Sequence, residues 1–179
     1  MQDWNVVVSV PEHGFKQTRE FLGAWGPVRR TEFYNVLVMR IDDIPAFLAG
    51  LQQRVMENPD VQGFLGRVVP ITDTFVFQSP EEFEAKARDA VTAYLSHLSG
   101  KRFHVRMHRR GFKGRLSSQE EERFLDVFLL ESLAQQGTPG RVAFDDPDAI
   151  IALETVGQQA GLSLWTRQDL QRYPFLKLD

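Results

Sequence analysis

Seven Lys or Arg residues fall within the fifteen positions from Lys101 to Arg115, and no carboxylate interrupts them. The surrounding stretch, Ser96 to Leu116, reads SHLSGKRFHVRMHRRGFKGRL. The chain carries a formal net charge of −3, so removing this +7 block leaves −10 on the rest. Positive potential is therefore concentrated on one region of an acidic body, where it can attract a polyanion. Arg presents a planar fork of donors suited to phosphate oxygens, and Lys adds a mobile point charge. The candidate contacts are Lys101, Arg102, Arg106, Arg109, Arg110, Lys113 and Arg115. Gly111 and Gly114 let backbone amides approach a phosphate, although neither belongs to a phosphate-loop signature. A helix start at Ser117 directs its N-terminal dipole at the same loop, which favours an anion there. With about four to six phosphates engaged, each adds roughly 0.7 to 0.9 to the logarithmic salt slope. The ordinary alternative is a solvated face paired with acidic runs such as Glu81 to Glu84 and Glu120 to Glu122. The self-repulsion of seven like charges argues against a purely structural role.

Other groups offer less. The histidines are His13, His97, His104 and His108. A 104/108 spacing would serve a metal on a helix, but on a strand it separates the rings by about 13 Å. Asp145, Asp146 and Asp148 could hold a cation, yet turn capping around Pro147 accounts for them more simply. Ser117 and Ser118 fit helix caps better than nucleophiles, because no base is placed to activate them. Trp25 reads as packing beside Gly26-Pro27, and Trp165 as a candidate for stacking on an unpaired base. There is no cysteine, which excludes disulfides and thiolate chemistry. No metal and no cofactor is expected.

The elements that must position the basic block come from periodicity. Trp4 to Val10 reads as a strand, residues 14 to 24 as a short helix, and Val28 to Phe33 with Tyr34 to Ile41 as two further strands. Ile44, Phe47, Leu48, Leu51 and Val55 mark an amphipathic helix that Asn58-Pro59 ends, and Val68 to Phe77 returns to strand. The order β-α-β-β-α-β is ferredoxin-like, and its domain is expected to span residues 1 to 78. Ser79-Pro80-Glu81-Glu82 then opens a helix that closes at Gly100. Lys101 to Gly111 reads as an edge or surface strand with Phe103, Val105 and Met107 inward and Arg102, His104, Arg106 and His108 outward. A helix from Ser117 or Ser118 to about Ala134 is almost too apolar for one face, which implies a helix pressed between layers. Ala149 to Val156 and Leu162 to Thr166 read as adjacent strands, and residues 79 to 179 as a second domain. The fold class is α/β (α+β).

From about Phe103 onward the chain resembles a THUMP domain, a module of tRNA-modifying enzymes. The stretches carrying the likeness are FHVRMHRRGFKGRLS, RVAFDDPDAIIALETVG and GLSLWTRQDLQRYPFLKLD. The first resembles the family's basic strand and loop, the second its Asp-Pro step before the central strand (Asp146, Pro147), and the third its final strand and tail. The preceding ferredoxin-like pattern and the join RVVPITDTF agree with it. The resemblance implies binding of the tRNA acceptor stem and its unpaired 3′ end, with Arg106, Arg109, Arg110, Lys113 and Arg115 on phosphates and Lys101 and Arg102 nearby. Because the sequence stops at Asp179, it resembles the free-standing accessory type, which presents tRNA to a separate modifying enzyme such as a cytidine acetyltransferase. That implies a non-catalytic role, with tRNA and a modifying enzyme as partners.

Two other classes compete: an interaction subunit docking an acidic protein through its basic face, and an enzyme acting on a small phosphorylated substrate. The N-terminus lacks a basic leader with an apolar segment, and no stretch approaches the roughly 18 apolar residues of a membrane span. A cytoplasmic protein without a membrane partner is the expectation, and the sequence leaves oligomeric state open. The terminal run Tyr173 to Leu178 is expected to pack back; if loose, it would be an apolar partner-binding peptide.

Overall fold

The computed structural model describes residues 3–179, which form two compact units. The first contains the chain up to Ile71 together with Asp169–Asp179, and the second Thr72–Gln168.

In the first unit, β1 (Val6–Ser9), β2 (Val28–Arg30), β3 (Val36–Met39) and β4 (Arg67–Pro70) form one antiparallel sheet in the order β2-β3-β1-β4. Helices α1 (Phe15–Leu22) and α2 (Ile44–Glu57) supply the crossovers, and a short turn Pro59–Val61 with α3 (Gln62–Leu65) leads into β4. This is the ferredoxin-like order that the apolar pattern anticipates. Asp43 starts α2 by accepting the Ala46 N–H at 3.0 Å, with Pro45 in the first turn, where a missing donor costs least. The C-terminal segment completes the unit. Val68 N–H donates to Phe175 O (2.9 Å), and Phe175, Leu176 and Leu178 are buried. The tail is therefore core, and not a loose peptide.

In the second unit, β5 (Asp73–Val76), β6 (Arg102–His108), β7 (Arg141–Val142), β8 (Ala149–Val156) and β9 (Gln159–Thr166) form a mixed sheet ordered β5-β9-β8-β6-β7. β6 runs parallel to both β7 and β8, while β9 is antiparallel to β8 and β5. Helices α4 (Pro80–Thr92), α5 (Leu95–Leu98) and α6 (Ser118–Gln135) bring Phe83, Ala87, Val91, Leu125, Leu129 and Leu133 onto the sheet residues Phe103, Val105, Ile151 and Leu153. Helix α7 (Arg167–Arg172) follows β9. Ser79 caps α4 by accepting Glu82 N–H at 3.1 Å, and Ser117 caps α6 from Glu120 N–H at 3.4 Å. No helix among the described residues is long and apolar enough to cross a membrane.

Three expectations are corrected. The run Val68 to Phe77 is two strands in different sheets: Ile71 N–H donates to Asn5 O, whereas Thr72 N–H donates to Leu162 O. β5 therefore belongs to the second unit, as does the chain from Thr72. The helix after Ser79 is interrupted, because Ala93 and Tyr94 turn back to carbonyls three residues earlier. β6 is interior to its sheet, between β8 and the two-residue β7.

Candidate nucleic-acid interface

β6 aims the basic block, and a tight loop between β6 and α6 displays its end. Gly111 (φ 97°) and Gly114 (φ 79°) take the left-handed backbone that glycine tolerates, and Phe112 between them also has positive φ. Phe112 is anchored by a tilted ring contact with Phe77 (centroids 4.9 Å apart, planes at 43°), and its carbonyl accepts N–H bonds from Arg115 (2.9 Å) and Leu116 (3.0 Å). The loop base is tied down as well: Arg110 N–H donates to Thr155 Oγ1, and Gly157 N–H donates to Arg110 O.

Three of the seven candidate cations face carboxylates. The Arg102 guanidinium lies 3.6 Å from Asp148 and 3.9 Å from Asp146, and Arg167 pairs with the same two acids at 3.0 and 2.9 Å. Asp148 Oδ2 also accepts Arg102 N–H at 2.9 Å. That amide foremost, with the two guanidinium groups, holds the Asp148 carboxyl below its ordinary range. Arg106 lies 3.7 Å from Glu122. Arg110 Nη1 sits 2.6 Å from Glu154, a fully buried carboxylate on β8. Burial pushes Glu154 up, but His108 and Arg110 together outweigh it and hold the carboxyl low. His108 Nδ1 is 3.4 Å from the other Glu154 oxygen, within ion-pair reach but off hydrogen-bond geometry.

The other four have no ion pair among the described residues. Lys101, Lys113 and Arg115 are exposed and Arg109 is half-buried. Arg109 donates to Gly111 O, and Arg115 lies over the Phe112 ring at 4.8 Å, which leaves both charges unneutralised. Lys101 stands at the opposite end of β6 from the loop, about 23 Å away for a seven-residue strand. The block is therefore a three-cation loop and a separate lysine, bridged by arginines that are already paired.

The start of α6 is no open anion site. Its first turn carries the exposed Glu120, whose charge already complements the helix dipole. Glu121 is buried, and burial first, then the neighbouring Glu84 carboxyl, pushes it up to about 8. Carboxylates also serve the sheet. Beyond β7 the open edge of β6 would leave two amides bare; Asp126 accepts Val105 N–H at 3.0 Å and Glu122 accepts Met107 N–H at 2.8 Å. Burial pushes Asp126 up to about 7, against the pull of that N–H.

His104, expected outward, is fully buried, because residues 143–144 fold over it: Nδ1 is 2.9 Å from Ala143 O, and the Phe144 ring is 5.2 Å away. Trp165, a candidate stacking surface in the sequence, is 7% exposed and donates to Ser163 Oγ. The Asp cluster holds Arg102 and Arg167; among the described residues no group of three or more His, Asp or Glu converges on a common metal position. Sequence reasoning missed Arg167, whose role follows only from the fold that returns β9 beside Asp146 and Asp148. It also missed Phe144, an aromatic 66% exposed with no periodic signal around it.

No family model matches the sequence, and no curated protein matches it. Solved structures do. TrmN from Thermus thermophilus aligns with TM-score 0.59 and 18% identity, over 90% of this chain and 44% of its own. PH1313 from Pyrococcus horikoshii Ot3 gives 0.58 and 14%, over 91% and 54%. A 4-thiouridine synthetase, solved as an RNA complex with bound ATP, gives 0.54 and 15%, over 92% and 42%. The chain spans about half the length of each. At such identities the likeness is one of fold alone: a mixed α/β chain with two sheets, the first unit ferredoxin-like in its strand order.

Proposed function

We propose that this chain binds RNA, with the acceptor stem and unpaired 3′ end of tRNA as its target, and acts as a non-catalytic adaptor for a separate tRNA-modifying enzyme. The observation that carries the reading is the loop from Arg109 to Arg115. Its three cations sit on a backbone fixed by Gly111, Phe112 and Gly114, and no carboxylate of the described chain pairs with them. A helical RNA is recognised mainly through backbone and shape, which asks for a rigid set of unneutralised cations and little else. In this reading Arg109, Lys113 and Arg115 are the principal phosphate contacts, and Lys101 meets a second stretch of backbone. Arg102, Arg106 and Arg110 contribute positive surface with charges partly screened by their own carboxylates. The fold shared with an RNA-bound 4-thiouridine synthetase supports a nucleic-acid role. The adaptor role and the acetyltransferase partner rest on the resemblance of the sequence to accessory THUMP proteins.

Photocrosslinking to tRNA, with the attached peptides read by mass spectrometry, tests the proposal. Crosslinks are expected within Arg109 to Arg115. Recovery of a nuclease-resistant protein complex, with no crosslink in that loop, would overturn the RNA reading in favour of a protein-docking face.

A further inference from the structure

Helix α6 is apolar on two sides. Leu125, Leu129 and Leu133 are fully buried in the core of the second unit, while Phe124, Phe128 and Leu130 are only half-buried and Val127 is 45% exposed on the outer side. A second apolar stripe on a helix ordinarily packs against another element. Here the outer side forms a ridge flanked by two grooves. One, of about 440 Å³, is lined by Arg88, Phe124 and Phe128; the other, of about 530 Å³, by Leu130, Val142 and Phe144. Arg123 and Val127 border both.

We propose that this face is a self-association surface, on which a second copy of the chain packs its own α6 antiparallel across a two-fold axis at Val127. The charges of the ridge select that occupant. Arg123, Val127 and Glu131 follow one another at four-residue steps, so Arg123 and Glu131 lie equally far, about 6 Å along the helix, to either side of Val127. Neither has an ion-pair partner in its own chain among the described residues. A two-fold axis through Val127 sets Arg123 of each copy opposite Glu131 of the other. The contact is isologous, so the pairing occurs twice. The other acids of the larger groove, Glu122 and Asp126, are engaged with β6 amides and Arg106 and do not disturb the pattern.

Molar mass from light scattering or sedimentation over a range of concentrations, without RNA, tests the proposal. The expected species is twice the 20.5 kDa of one chain, dissociating on dilution. Val127→Glu should give monomer. Arg123→Glu and Glu131→Arg should each weaken the dimer roughly tenfold or more, since each sets like charges opposite one another twice. The combined R123E and E131R variant should recover the wild-type dimer, which also shows that the swapped residues leave the fold intact. Circular dichroism of each single variant separates dissociation from unfolding. A monomer at every concentration up to the solubility limit overturns the proposal, as does a dimer indifferent to all of these substitutions.

Discussion

Arg102 and Arg106 on β6, and Arg110 just past its end, each face a carboxylate of their own chain, whereas Arg109, Lys113 and Arg115 face none among the described residues. Both groups lie within one uninterrupted cationic run of sequence. The difference arises from the sheet. An arginine alternating on an interior strand meets the side chains of its neighbours, and those here include Glu154 on β8, Asp148 before it and Glu122 on α6. Lys113, between Gly111 and Gly114, and Arg109 and Arg115 on either side of that turn have no such carboxylate beside them among the described residues. Charge density in a sequence thus becomes surface potential only where the fold withholds counter-charges.

The sharpest way to break the comparison is at its buried end. Glu154→Gln should remove the negative charge facing the Arg110 guanidinium, only 10% exposed, and destabilise the protein by about 3 to 5 kcal/mol in urea unfolding. A loss below about 1 kcal/mol would mean that the pair behaves like a solvated surface bridge.

The pH dependence of stability separates two kinds of acid. Glu121 is raised from 4.5 to about 8 in the folded protein, so the native state keeps a proton that the unfolded chain has released. Its contribution is fully present below about 4.5 and is lost as pH rises toward about 8. Glu121→Gln should flatten that decline. Glu154 and Asp148 are shifted the other way, so their contribution is present above the ordinary carboxylate range and lost as pH falls through their lowered values. Unfolding free energies measured from pH 4 to 8 on wild type and Glu121→Gln decide this; identical slopes would refute it.

The smallest expected change in stability is in the loop. Lys113→Ala should alter it by no more than about 0.5 kcal/mol, as an exposed side chain without partners does, yet weaken tRNA binding. A stability loss comparable to that of Glu154→Gln would erase the distinction between the two regions.

Much of this architecture was legible in the sequence. The apolar rows of α2 and of the strands carried the ferredoxin-like order, and Ser79 and Ser117 marked two helix starts because capping is local chemistry. What local patterns do not encode is which sheet a strand joins. Val68 to Phe77 reads as one β-rich run, and only the partners Asn5 and Leu162 divide it. Burial of a polar row is hidden for the same reason: period two places His104 outward, but the chain at Ala143 and Phe144 covers it. In the candidate site, the composition of the block and its glycine turn were visible. Its division into paired and unpaired cations depended on carboxylates up to 46 residues away in sequence.

The most direct measurement is the salt dependence of tRNA affinity for wild type and for a variant with Arg109, Lys113 and Arg115 all changed to Ala. If these three hold phosphates, the variant binds more weakly and its logarithmic salt slope is shallower by roughly 2 to 3. Equal affinity and equal slope in the two proteins, both folded, would contradict the account.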